Sequence, residues 1–488
     1  MEIRQKIGLG LGITTFVLLM SLNPPENMDP LAMRAAAVSL LMAIFWVTEA
    51  ISIFATSFIP IALFPLLGVL DSKQIAACYG NHIVLLILGA FFVAKAIETN
   101  NLHKRIALLT IRTFGTSRQR IMLSFMVATG VLSMWTTNNS TTLMMLPIGM
   151  ALLNREQEMG ADISRFAPAL MLCIAYSASI GGTGTLVGTP PNLLFVSTVE
   201  EIFPDAPALI FTEWLKIGIP FVTVFLPLTW LYLIKYFRIE GELEGSDQII
   251  EQEYQALGPM SVAEKKVAVV VFLYALGFIF RTWWSDILGV EGYVKDSTVA
   301  FIASIALFSL SSGLKNEDGN ETRLLEWQDA KEIPWAISMM IGGGMAIASS
   351  FRSSGLIDWV ANIMSLEGIP VLLIVLLVVT AMVFLTEINS NTATTAIFLP
   401  VLAGLAKAGS FHPYLLMIPA TIAASCAFML PSGTGPNACV LASGHLSIPQ
   451  MAKAGFRLNI LVIFVLVILL YFVIFPIMDI SSSVPSWI

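Results

Sequence analysis

Long apolar runs separated by short polar stretches repeat along nearly the whole chain. Each run is long enough to cross about 30 Å of hydrocarbon as a helix. The pattern predicts eleven crossings, near residues 7–23, 31–50, 52–70, 82–101, 165–197, 213–235, 264–282, 297–313, 334–352, 413–441 and 456–478. Two further stretches, 121–155 and 371–406, carry polar clusters at their centres and predict hairpins that enter the membrane and return. Lys and Arg set the orientation. They gather in 103–120, 235–266, 314–333 and 442–457, whereas 198–212 and 479–488 have none. All the basic stretches fall on one side if 121–155 is a hairpin, which places the N-terminus in the cytoplasm and the C-terminus outside. The first run follows Arg4 and Lys6 as a leader would, but no small-x-small cleavage pattern comes after it, so an uncleaved span is expected.

Composition agrees with the pattern. Of 488 residues, 56% are hydrophobic and 12% charged. Soluble domains carry about 25% charged residues, so a chain this poor in charge cannot cover a water-facing surface, and lipid is its solvent. The expected fold is an all-α integral membrane protein of the inner membrane. Four cysteines (Cys78, Cys173, Cys426, Cys439) and four histidines (His82, His103, His412, His445) show no metal-site spacing. No nucleophile–base arrangement points to an enzyme, and no nucleic-acid partner is expected.

The two halves of the chain resemble each other. Met134–Pro147 reads MWTTNNSTTLMMLP, and Thr386–Pro400 reads TEINSNTATTAIFLP. Asn138 and Asn391 lie 253 residues apart, as do Pro147 and Pro400. Downstream, Gly188-Thr189-Pro190-Pro191-Asn192 matches Gly433-Thr434-Gly435-Pro436-Asn437 at a separation of 245. Leu88–Leu102 aligns more weakly with Gly342–Leu356. The expected organisation is a first span (1–30), a repeat (31–237), a cytoplasmic linker rich in Glu and Gln (238–263), a second repeat (264–478) and an external tail (479–488). Five crossings and one hairpin per repeat make the second repeat inverted, with a binding site where the repeats meet near the midplane.

The chemistry of the paired motifs follows from where they stand. Hydroxyl and amide residues in succession are unfavourable against lipid. At a hairpin tip they line a polar cavity, where their oxygens suit a hard cation such as sodium and helix N-termini attract anions. Pro and Gly break the helices at 188–192 and 433–437 and free carbonyls to face inward. Neither motif pair includes Lys, Arg, Asp or Glu. A dianion would therefore be strongly disfavoured until cations are bound, which is a physical reason for coupling. Lys95 and Glu98, one turn apart, predict a local ion pair, and Glu387 predicts a buttress of the second hairpin.

At these residues the sequence resembles the divalent anion–sodium symporter family, which includes bacterial and animal di- and tricarboxylate transporters. The family carries Ser-Asn-Thr at each hairpin tip. Here Ser390-Asn391-Thr392 is intact and the first tip reads Thr137-Asn138-Asn139. Tyr254–Ser261 (YQALGPMS) and Ile333–Trp335 (IPW) extend the likeness over nearly the whole chain. The resemblance implies one sodium site at Ser133, Thr137, Asn138 and the Gly188 backbone, and another at Thr386, Asn389, Asn391 and the Gly433 backbone. It implies substrate carboxylates at Asn138, Asn139, Thr189, Ser390, Asn391, Thr392 and Thr434. It also implies a homodimer with an elevator-like motion, and sodium-coupled symport of C4-dicarboxylates such as succinate, malate or fumarate. A sodium-independent exchanger, or sodium-coupled transport of citrate or sulfate, fits the same motifs. Asn139 in place of Thr is expected to shift substrate preference.

Overall fold

A computed structural model describes residues 3–113, 117–242, 246–315, 319–363 and 368–488. Nearly every element is a helix. Among the described residues the exception is a short antiparallel ribbon, Ser311–Lys315 with Glu321–Arg323. Among the described residues, six helices are long and apolar enough to cross a membrane: Ile3–Ser21, Pro30–Thr48, Ser72–Thr99, Phe211–Phe237, Val371–Ile388 and Ile448–Ile477. A seventh is bent by 79° between Val262–Ile279 and Arg281–Ile287. The expected crossing at 52–70 consists of two short helices, Ile53–Thr56 and Ile59–Leu66. The runs at 165–197 and 413–441 are each broken in two, into Phe166–Gly182 with Pro190–Ile202 and Tyr414–Ala424 with Gly435–Leu441. The linker holds a helix, Ser246–Ala256, and its residues 243–245 lie outside the described residues.

The broken helices form the core. Every residue of Phe166–Gly182 and of Tyr414–Ala424 is buried. By contrast, Ile3–Ser21 buries only Gly8 and Gly12, where a bare backbone lets it lie against Thr48 and Phe45. Leu9 and Phe16 pack beside them against Leu41 and Phe45, while Ile3, Ile7, Leu11, Ile13, Val17 and Leu18 are exposed, as lipid-facing positions are. Where polar sequence meets a helix start, side chains cap the free amides. Ser117 accepts from the Arg120 amide, and Ser261 with Glu264 and Ser447 with Gln450 form reciprocal boxes.

Each of the two stretches expected to form a hairpin consists of two helices joined at a tip. The first pairs Arg118–Ser133 with Asn138–Glu158, and the second pairs Val371–Ile388 with Asn391–Ala408. Pro147 and Pro400 lie at matched places inside their second arms. The tips project into the core beside the two helix breaks, and this positions the site.

Candidate functional site

At the first tip, Thr137 holds an extended backbone and its hydroxyl accepts from the Ser140 amide, which starts the helix at Asn138. Ser133 ends the preceding arm fully buried, and its hydroxyl lies 2.7 Å from both Asn138 Oδ1 and the Ala178 carbonyl. The break at 183–189 folds against this corner. A Cβ on Gly188 would overlap the Gly182 carbonyl and come within 3.0 Å of the Ser133 carbonyl. The Asn192 amide closes the loop by donating to the carbonyls of Gly182 (3.2 Å) and Thr185 (2.7 Å).

The second tip repeats the corner and the loop closure, though Ser390 makes no side-chain cap like that of Thr137. The Thr386 hydroxyl lies 2.6 Å from both Asn391 Oδ1 and the Ala424 carbonyl. The Asn437 amide donates to the carbonyls of Ala427 (3.1 Å) and Leu430 (3.0 Å). Thr189 and Thr434 enter their helices with nearly the same dihedrals, φ −147°, ψ 141° and φ −152°, ψ 146°. Turned one way, the Asn391 amide nitrogen donates to the Thr386 hydroxyl and to the carbonyls of Ala424 (3.0 Å) and Gly433 (3.2 Å). Turned the other way, its oxygen joins those three in a cluster of four oxygens that share one proton. Such a cluster repels itself unless a cation sits within it, and hard oxygen donors are what sodium takes. These residues fit the ion.

Between the two corners lies a cavity of ≈ 230 Å³. Its polar wall is Thr137, Asn138, Asn139, Thr189, Ser390, Asn391, Thr392, Ser432 and Thr434, with backbone from Gly188, Gly433 and Gly435. Among the described residues, no lining side chain is charged. The helices starting at Asn138 and Asn391 aim free amides and dipole ends at it, and the helix starting at Pro190, whose first two residues are prolines without N–H, adds its dipole end. Ile87, Phe91 and Ile337 close the cavity from the neighbouring helices His82–Thr99 and Trp335–Ser353.

All seven expected substrate residues line this cavity, as do Thr137, Gly188 and Gly433. Ser133 and Thr386 stand one layer behind it, fully buried. Asn389 is buried away from the cavity, where it ends the helix Val371–Ile388. The motifs did not reveal Ser432 or the apolar wall. The weak repeat match at Leu88–Leu102 and Gly342–Leu356 was the one signal that pointed to the wall's helices. Lys95 pairs with Glu332 at 2.7 Å as well as with Glu98 at 3.6 Å, so the expected local pair has a second, distant partner. The Lys95 ammonium pulls the Glu332 carboxyl below its ordinary range.

Residues 5–478 match the family described as the sodium:sulfate symporter transmembrane region. A relative from Staphylococcus saprophyticus, named sodium-dependent dicarboxylate transporter SdcS, is 40% identical over 99% of this chain and 94% of its own length. The protein of the same name from Staphylococcus aureus is 39% identical over 99% of this chain and 93% of its own. Among solved structures, Neisseria gonorrhoeae MtrF matches over 94% of this chain and 96% of its own, with TM-score 0.54 and 11% identity. Alcanivorax borkumensis YdaH matches over 96% and 97%, with TM-score 0.50 and 11% identity. At that identity the likeness is one of fold.

Proposed function

Because the chain belongs to the sodium:sulfate symporter family, we propose that it is a secondary transporter that carries C4-dicarboxylates such as succinate, malate and fumarate across the cytoplasmic membrane together with sodium. The observation that carries this reading is the pairing of two matched oxygen corners with one uncharged cavity. Sodium enters the corners built by Ser133, Thr137, Asn138 and Gly188, and by Thr386, Asn391 and Gly433. The ions supply the positive charge that the cavity's side chains lack. The dianion then binds between them, its carboxylates meeting the amides and hydroxyls of Asn138, Asn139, Thr189, Ser390, Asn391, Thr392 and Thr434. Without the ions a dianion would have only dipoles and hydroxyls to replace its water, which is unfavourable. When more than two sodium ions accompany one dianion, net positive charge moves inward. The membrane potential then contributes about 2.3 kcal/mol per charge per 100 mV.

The family resemblance and the basic-loop pattern support the finer picture. Eleven crossings and two re-entrant hairpins form two inverted repeats, with the N-terminus inside and the C-terminus outside. A homodimer holds a scaffold still while the hairpin-bearing part moves as an elevator. Length and composition alone would also allow Val371–Ile388 to span the membrane. Its tip at the central cavity is what favours the hairpin reading.

The test is radiolabelled succinate uptake into proteoliposomes, with and without an inward sodium gradient. Saturable, sodium-requiring uptake inhibited by malate and fumarate is expected. Uptake without sodium, only into vesicles preloaded with dicarboxylate, would establish an exchanger instead. Sodium-driven sulfate uptake with no succinate uptake would move the substrate to the inorganic anion.

A further inference from the structure

The two oxygen corners match closely in their side chains but differ in formal charge. Glu387, directly after Thr386, is 2% exposed. Its carboxylate accepts from three consecutive backbone amides: Phe428 at 2.6 Å, Met429 at 2.9 and 3.0 Å, and Leu430 at 3.0 Å. The Asn459 amide adds a fourth donor at 2.8 Å. All four partners donate, as they do to an ionised carboxylate. Among the described residues, no Lys, Arg or His pairs with it. The matching position in the first repeat is Met134, 253 residues earlier.

The two helix breaks show the consequence. In the first break the chain satisfies itself. The amides of Thr183 and Gly184 donate to the carbonyls of Ile180 (3.1 Å) and Gly181 (2.8 Å), and the Thr185 hydroxyl donates to the Met134 carbonyl at 2.5 Å. The equivalent stretch of the second break, Phe428 to Leu430, is unwound, and its amides go to Glu387 instead. Tyr176 of the first repeat holds the other side of this peptide run through the Phe428 carbonyl at 2.8 Å. Amide dipoles stabilise a negative charge without neutralising it. One cation corner therefore has a full negative charge at its back, and the other has a thioether.

We infer that Glu387 makes the two cation sites unequal: the corner at Thr386, Asn391 and Gly433 fills at lower sodium than the corner at Ser133, Asn138 and Gly188, and its filling fixes the second break before substrate binds. The inference rests on the sodium-coupled reading above. Attraction between the carboxylate and an ion in the adjacent corner acts through a low-dielectric interior and is little screened. Glu387 is a positioning residue. It touches neither substrate nor ion in this arrangement, and acts through the unwound segment and through its charge.

The test begins with the wild-type protein in liposomes, without substrate. Hydrogen–deuterium exchange is followed over 180–192 and 425–437 while sodium is titrated. Protection of 425–437 is expected at a midpoint about tenfold below that of 180–192, and equal midpoints or the reverse order overturn the proposal. Glu387→Gln should merge the two midpoints and raise the half-activating sodium concentration for uptake about tenfold. Asn459→Ala, which removes one donor but keeps the charge, should change that concentration less than about threefold. If both variants raise it alike, Glu387 is a structural brace and the proposal falls. If Glu387→Gln does not fold, the wild-type titration still decides. Succinate uptake by the same preparation separates the two levels. No sodium-driven uptake removes the premise, whereas sodium-driven uptake with equal midpoints removes only this inference.

Discussion

Asn139, at the tip of the first hairpin, and Gly435, at the start of the helix after the second break, share one space across the two repeats: a Cβ on Gly435 would overlap the Asn139 amide. Both line the central cavity. The equivalent places are taken by Thr392 and Pro190, a smaller polar side chain and a bulkier backbone residue. The larger tip residue therefore faces the smaller break residue. Gly435→Ala should displace the Asn139 amide and raise the half-saturating succinate concentration by about tenfold, the equivalent of about 1.4 kcal/mol. Adding Asn139→Thr should recover most of the loss, a non-additivity that a double-mutant cycle in the uptake assay would reveal. Asn139→Thr alone should change the ranking of competing dianions.

Ser133 and Thr386 act through a single hydroxyl each, bonded to an Asn side chain and to a carbonyl. Removing a buried donor leaves its acceptors unpaired, at about 1–3 kcal/mol. Ser133→Ala and Thr386→Val should each raise the sodium concentration for half-maximal uptake by about tenfold or more, since tenfold corresponds to about 1.4 kcal/mol. Thr386→Ser retains the hydroxyl and should stay within about threefold. The measurement is uptake against sodium at saturating dicarboxylate.

The two break glycines should differ in tolerance. At Gly188 a methyl group would run into backbone, the Gly182 carbonyl. At Gly433 the nearest atoms are the Ala427 Cβ and the Thr386 carbonyl, each at 3.1 Å. Gly188→Ala should abolish sodium-dependent uptake, and Gly433→Ala should leave a measurable fraction. Equal activity in the two variants would contradict the geometry.

Arg105 and Glu264 form a buried ion pair between the helices Leu102–Arg112 and Val262–Ile279, with N–O distances of 2.9 and 3.2 Å. The Arg105 guanidinium also donates to the Gly258 carbonyl at 3.1 Å. Losing one member strands the other, at about 3–5 kcal/mol. Arg105→Ala should lower the thermal midpoint in detergent while leaving the sodium dependence of the surviving uptake unchanged. Arg105→Ala with Glu264→Gln should be more stable than Arg105→Ala alone.

Much of the site was legible because each half of the chain states it once. The separations of 253 and 245 residues place Asn138 with Asn391 and Gly188 with Gly433 before any coordinates exist. The partners of those residues were not legible. The Ala178 and Ala424 carbonyls that complete the corners are backbone atoms, and the identity of the residue bearing them says nothing of where the oxygen points. The contact of Asn139 with Gly435 crosses the repeats and joins positions with no shared periodicity.

The sequence by itself determined the solvent, the helical class and the repeat. So many long apolar runs in a chain this poor in charge need lipid around them, and backbone in lipid must bond within its own helix. It also determined that polar tips and Gly–Pro breaks come in matched pairs. Tertiary structure alone decided that both tips and both breaks open on one cavity. It also decided that Glu387 is solvated by Phe428, Met429, Leu430 and Asn459, with no Lys, Arg or His paired to it among the described residues. Local composition sets which groups a segment exposes, but which groups meet depends on how separate helices pack.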